Sequence, residues 1–300
     1  MPKFVLSTGQ LRNQNLMGIL CFACAMFLFS AVDTTAKILT ESFHPIQVAW
    51  SQQIGLLLGI LLLLVFKGAV ILQTDHPWLQ ISRGLLAGAS SLLFIFAISV
   101  VPIADAVAVS FVAPFIVTIL GALVLGERVG VRRWTAIVIG FLACLIIIRP
   151  GLGVFNPAIF LVVIAATFYA CRQILSRIIS SSDSTMTTIS YTGLTASMFL
   201  TVPLPFVWRT PVWGSEILLL LVLAGLAALA EIMVIKALEL AQAVVLAPIH
   251  YTVMIWGTIY GWFVFGQLPD EWTWLGSLII FATGIYMVRR EWAIKQEKTT

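Results

Sequence analysis

The sequence predicts an all-α membrane protein: ten transmembrane helices built as two inverted five-helix repeats, with both termini in the cytoplasm. Three observations lead there. Of 300 residues, 60% are hydrophobic and only 10% charged, and the mean hydropathy of +1.05 lies far above that of a soluble domain. Apolar runs of spanning length follow one another with short polar breaks between them. One stretch also recurs in the second half of the chain with its charge reversed. GALVLGERVGVRRW (Gly121–Trp134) and GWFVFGQLPDEWTW (Gly261–Trp274) share Gly, Val, Gly and Trp at the same spacing. The first copy carries Arg128, Arg132 and Arg133 against Glu127, whereas the second carries Asp270 and Glu271 and no base.

The first span, 16–38, is long enough to cross, and no small-residue cleavage site follows it, so it is expected to stay as an anchor. Its Cys21 and Cys24 form a C-x-x-C without a nearby base, which suits small buried thiols better than a redox or metal site. The second span, 45–66, carries Trp50 and the small pair Gly55 and Gly59. The third, 79–100, carries the pair Gly84 and Gly88, spaced for close helix contact. The fourth, 102–125, opens near Asp105 and is interrupted by Pro114. The fifth, 132–149, ends at a break, PGLGVFN, near 150–156. The second half supplies 155–179, 185–208 with Pro203 and Pro205, 215–239, 242–265 with Pro248, and 272–290. The expected organisation is a cytoplasmic tail over 1–15, a first five-helix repeat over 16–149, a second over 154–290 and a cytoplasmic tail over 291–300. Seven of ten Trp, at 78, 134, 208, 213, 272, 274 and 292, fall at span ends, as an interfacial aromatic belt requires.

Ten spans put both termini on one side, and the loops then alternate between two faces. One face collects 14 of 17 bases, leaving Lys37, Arg149 and Arg209 on the other. An excess of Lys and Arg marks the cytoplasmic side. Because the repeating unit holds an odd number of helices, its second copy must insert upside down, and its flanking charges change accordingly. The offset that carries Gly121 onto Gly261 is constant: between Thr118 and Arg149 it gives nine identities in 32 positions, including Gly126/266 and Trp134/274. Inverted repeats suit a transporter, in which exchanging the conformations of the two halves moves an interfacial site from one side to the other.

SFVAPFIVTILGALVLGERV, with Pro114 and the terminal Gly126-Glu127, resembles the fourth-span signature of the drug/metabolite transporter superfamily, in its ten-span EamA-type exporters. The resemblance covers about residues 16–290, and the second copy departs from it with Gln267 for the acid and Met254 for the proline. It implies a cavity enclosed by spans 1–4 and 6–9, with spans 5 and 10 as scaffold. Among such carriers the chain is most similar to bacterial exporters of amino acids, including aromatic ones. A monomer in the inner (cytoplasmic) membrane is implied.

Each ionisable group within a span costs about 2.5–3.5 kcal/mol on insertion scales and needs a reason. Asp33 sits where an i,i+4 pair with Lys37 is the plain explanation. Glu231, His250 and Arg172 fall at similar depths in the second half, where their counterparts in the first repeat are Ser91, Ser110 and Val32. An acid, an imidazole and a guanidinium suit a zwitterion's two charges or a proton relay. They equally suit a structural pair, with Arg172 snorkelling to the interface. His250, Met254, Gly257 and Gly261 share a face in span 9, and Ser110, Pro114, Val117 and Gly121 match it in span 4; such stripes serve a cavity wall or helix packing. Trp50, Phe94, Tyr169, Tyr251, Trp256 and Tyr260 are candidates for an aromatic cavity wall, with lipid or core contact as the alternative.

No H-E-x-x-H, G-x-S-x-G or Walker A stretch occurs, so neither an enzyme nor an ATP-driven pump is expected. No cofactor or metal is expected, and no nucleic-acid partner either, since the bases sit at helix ends rather than on one patch. The expected partners are a small-molecule substrate, the lipid bilayer and protons as the candidate coupling ion. A multidrug or nucleotide-sugar carrier on the same fold is the alternative function.

Overall fold

The computed structural model describes residues 8–126, 130–148, 156–179, 182–241 and 243–297. The described chain is all helical: α1 Thr8–Thr40, α2 Pro45–Lys67, α3 Pro77–Ile98, α4 Ile103–Ser110, α5 Ala113–Val124, α6 Val131–Ile148, α7 Ile159–Ile179, α8 Thr185–Thr201, α9 Ser215–Leu240, α10 Ala243–His250, α11 Thr252–Phe265 and α12 Glu271–Glu297. Glu127, Arg128, Arg149 and most of the expected break near 150–156 lie outside the described residues.

Local chemistry sets several boundaries. Pro45 and Pro77 open α2 and α3, where a missing N–H costs nothing. The Ser184 side chain caps α8 by accepting from the N–H of Thr187, and Asp270 does the same for α12 through Thr273. Gly126 and Gly266, counterparts in the two repeats, follow α5 and α11 with φ of 66° and 64°, the left-handed value that a helix-ending glycine adopts without strain. Within the helices, hydroxyls such as Thr34, Thr118 and Thr167 donate to the carbonyl four residues back, which satisfies them in an apolar medium.

Six segments are long and apolar enough to cross a membrane: Leu16–Thr40, Pro45–Leu72, Pro77–Ile98, Ile103–Val124, Ile159–Ile179 and Ser215–Leu240. The chain is a multi-pass membrane protein. Trp134–Ile148 in α6 is a shorter apolar helix. α8 stops at Thr201, because Pro203 and Pro205 turn the rest of the expected 185–208 span into a 3-10 turn over Leu204–Phe206. α10 and α11 are separated at Tyr251, as α4 and α5 are at the matching place.

Under the offset that carries Gly121 onto Gly261, α1, α2, α3, α4–α5 and α6 fall on α7, α8, α9, α10–α11 and α12. The main packing pairs map onto one another under the same exchange: α1 on α9 with α7 on α3, α3 on α8 with α9 on α2, and α1 on α11 with α7 on α5. α2 packs on α8 and α6 on α12, each pair its own counterpart. The small residues work unevenly. A Cβ on Gly55 would collide with the Ala224 carbonyl oxygen, and one on Gly84 would stand 2.7 Å from the Thr195 side chain, whereas Gly59 faces open space. Gly55 and Gly84 therefore set helix approach, and Gly59 does not.

The exchange fails at the two ends of the bundle. At one end, α1, α2 and α3 pack together and α4 packs on both α11 and α12; the counterparts α7, α8 and α9, α5 on α10, and α6 on α10 make no comparable contact among the described residues. Hydrogen bonds hold the packed end shut. Lys37, 9% exposed, donates to the Val101 carbonyl at 2.7 Å and to Gln267 at 3.5 Å, and Thr273 donates to Asp105 at 2.9 Å. Gln47 donates to the carbonyl of Arg209 and accepts from its N–H. The expected Asp33–Lys37 pair does not form, because Lys37 reaches forward to these connections; the Asp33 carboxyl group makes no ion pair or hydrogen bond among the described residues.

Candidate functional site

Span four breaks between Ser110 and Ala113, and span nine breaks at Tyr251. In the first, Pro114 lacks the N–H that Ser110 would need, and its ring crowds that carbonyl, so α4 ends there and α5 restarts with Pro114 in its first turn. In the second, Pro248 sits inside α10 and the interruption follows at Tyr251. The breaks coincide under the repeat offset, and their rings meet. Phe111 stacks on Tyr251 with centroids 4.8 Å apart and planes 21° from parallel. Phe281 stands edge-on to Tyr251 at 5.4 Å.

His250 lies beside this stack, edge-on to Phe111 at 5.7 Å and 6.3 Å from Phe22. Among the described residues its imidazole makes no hydrogen bond, so it is not paired with Glu231. α1 packs against both α9 and α10–α11, while those two touch each other little, which keeps the acid and the imidazole apart. Ser110 donates to the Val107 carbonyl at 2.7 Å. Ser91 donates to Gln52 at 3.3 Å, tying α3 to α2.

Arg172 finds different company. Its guanidinium lies over the Tyr169 ring, 4.8 Å from the centroid, and its Nε is buried with no hydrogen-bond partner among the described residues. One turn on, Ser176 donates to the Arg172 carbonyl at 2.8 Å and accepts from Arg83 Nε at 2.6 Å. Arg83 also donates to the Thr188 carbonyl at 3.3 Å and to the Thr192 hydroxyl. The positive charge of Arg172 and the negative charge of Glu231 both act on Arg83, without an ion-pair contact among the three. Arg83, counted from sequence among the bases flanking the spans, is thus part of the bundle. Depth was the available signal: it lies about 9 Å into α3 from Pro77 at about 1.5 Å per residue.

The aromatic candidates separate into groups. Trp50 donates to Thr201 at 2.9 Å and meets Trp208 edge-on at 5.9 Å, at the packed end. Trp256 and Tyr260 flank Phe27 of α1, at 5.1 and 5.7 Å. Phe94 packs partly buried on the core, as does Tyr169, whose hydroxyl accepts from Gln173 at 3.1 Å. Sequence reasoning missed Phe111, although the repeat offset pairs it with Tyr251.

The profile of the EamA-like transporter family matches the chain twice, over residues 16–149 and 156–290. This chain belongs to the EamA-like transporter family. It is similar to the S-adenosylmethionine uptake transporter of Rickettsia prowazekii, 27% identical over 277 residues, with 92% of this chain and 94% of that protein covered. It is similar also to the riboflavin transporter of Vibrio cholerae, 31% identical over 294 residues, with 96% and 97% covered. The pseudopaline exporter of Pseudomonas aeruginosa is 25% identical, with 91% and 96% covered. One crystal structure shares the fold at a TM-score of 0.57 and 18% identity, covering 93% of this chain and 98% of that one. The EamA-like chain is therefore a small-molecule transporter. Its relatives are named for uptake of S-adenosylmethionine, for riboflavin and for export of pseudopaline, which does not single out the amino-acid export expected from sequence.

Proposed function

We propose that this EamA-like transporter is a secondary carrier for small amphipathic metabolites that join an amino-acid head group to an aromatic or heterocyclic body. It works as a monomer in the inner membrane by alternating access between two inverted halves of five spans each, with both termini in the cytoplasm. The observation that carries this reading is the uneven exchange of contacts between the halves. Nearly every interhelical contact has its counterpart in the other repeat, except those that close one end. A two-fold-related bundle with one end packed and the other unpacked is what a carrier open to one side requires. By the distribution of bases, the packed end is external and the open end cytoplasmic. The S-adenosylmethionine and riboflavin carriers among its relatives support a substrate larger than a common amino acid.

Uptake into proteoliposomes tests the reading. Labelled S-adenosylmethionine, riboflavin, tryptophan, a nucleotide sugar and an organic cation are offered in parallel, with and without a pH gradient. S-adenosylmethionine is expected to enter above the protein-free control and tryptophan to compete. Accumulation of the organic cation or nucleotide sugar alone would replace the reading with the multidrug or sugar alternative. Glu231→Gln and Tyr169→Ala are expected to lower the rate more than the protein level.

A further inference from the structure

We propose that Arg83 and Arg172 together hold an oxyanion of the transported molecule, a carboxylate or a phosphate, in the cleft between α3, α7 and α9. The proposal rests on the carrier reading and makes an acidic group a requirement of the substrate.

Ser176 ties the Arg83 guanidinium to the helix that carries Arg172, accepting from Arg83 and donating to the Arg172 backbone carbonyl. Arg83 is steered by neutral acceptors alone, on α7 and α8. Arg172 is braced on the Tyr169 ring and keeps a buried Nε with no partner among the described residues. Glu231 acts on Arg83 across the cleft without touching it. The group therefore holds two positive charges, one negative charge and no closed ion pair. In a membrane bundle such an excess is costly, since charge interactions strengthen and hydration weakens as the dielectric falls. An oxyanion seated between two guanidinium forks supplies the missing charge and takes parallel hydrogen bonds that a point cation would not offer.

The other half of the bundle indicates that the fold itself does not need these charges. The counterparts of Arg172 and Arg83 are Val32 and Leu223, both 0% exposed, and that of Glu231 is Ser91, bound to Gln52. The same architecture closes over apolar groups at one end. Arg83, Arg172 and Glu231 stand at the end where α7, α8 and α9 make no comparable contact among the described residues.

The test uses the purified full-length chain in detergent, with melting temperature followed in sodium malonate, sodium phosphate and sodium chloride at equal ionic strength. Both oxyanions stabilise proteins generally, so the decisive quantity is the difference between wild type and variant. Malonate or phosphate is expected to give wild type a saturating shift of about 2–4 °C beyond that of Arg172→Gln and Arg83→Gln. Arg172→Lys is expected to fall between. The anion with the larger shift identifies the group. Equal shifts in wild type and variants would overturn the proposal. Should the variants fail to fold, phenylglyoxal modification of Arg172 in wild type decides by mass spectrometry: slower reaction in malonate than in chloride supports the site, and equal rates refute it. Neither measurement needs a transported substrate, so a failed uptake panel beside a positive anion effect would remove the substrate reading and leave the site standing.

Discussion

Phe111 and Tyr251 are counterparts in the two repeats, interrupt two helices at equivalent positions, and stack ring on ring at 4.8 Å. The stack joins the two points at which the bundle's long helices are free to bend. Tyr251 is further confined by α12, where a Cβ on Gly284 would collide with its hydroxyl oxygen.

Truncating either ring should destabilise the protein by about 3–5 kcal/mol, as for other buried aromatics. Phe111→Ala and Tyr251→Ala should be non-additive, with a coupling of about 0.5–1.5 kcal/mol for the ring pair. Unfolding of the two singles and the double in mixed micelles measures it; strict additivity would mean that the rings are neighbours without being partners.

Gly55→Ala should sharply reduce folded protein, because the added methyl meets the α9 backbone at Ala224. Gly59→Ala, one turn on and facing open space, should fold normally and gain slightly from helix propensity. Size-exclusion yield and melting temperature of the two variants compare them directly, and equal behaviour would contradict the packing described for α2.

The packed end brings Gly257 within van der Waals distance of Ile103 and Val107, at 3.7 and 3.5 Å from an added Cβ. Exchanging halves maps that contact onto Val117 with Ala243 and Ala247. Cysteine pairs at 107 and 257 should cross-link readily in the resting carrier, in a background free of the native cysteines. Pairs at 117 and 247 should cross-link only when transport is running. Rapid cross-linking of both pairs in the resting state would end the alternating-access reading.

Membrane orientation is testable with single cysteines at Gly130 and Leu268, in the same background. Leu268 is chosen because neighbouring Asp270 caps α12. An impermeant thiol reagent should label position 268 from outside and position 130 only from inside. Labelling of both from one side would undo the inverted arrangement.

Asp183, between α7 and α8, accepts from Thr74 at 2.5 Å and Gln80 at 2.6 Å, both from the other half of the chain. Partial desolvation pushes its pKa up, but the hydrogen bonds from Thr74, Gln80 and Ser182 and the nearby His76 outweigh it, and the net direction is down. A depressed carboxylate contributes stability above its unfolded pKa and loses it as pH falls through the folded value, so the window lies below about pH 4. As pH falls below about 4 the melting temperature of wild type should therefore drop more steeply than that of Asp183→Asn. Parallel pH profiles would show that the carboxylate charge contributes nothing there.

Hydropathy alone determined that the chain crosses the membrane repeatedly and where its long helices lie, because every residue in lipid answers to the same local demand for apolar side chains and satisfied backbone. The recurrence between the halves was likewise legible, since Gly126, Gly266 and the matched Trp134 and Trp274 serve local turns and interfaces that do not depend on the partner half. Which side chains meet was decided only by the tertiary structure. Depth along a helix placed Glu231 and His250 at one level, but α1 packs between their helices and separates the pair. Arg83 read as a flanking base until Ser176, Thr188 and Thr192, all from the second half of the chain, drew it into the bundle. Lys37 likewise turned from its sequence neighbour Asp33 toward Val101 and Gln267. Periodicity records position along one helix. The azimuth of a charge, and hence its partner, follows from how that helix packs against the others, and no local stretch of sequence carries that information.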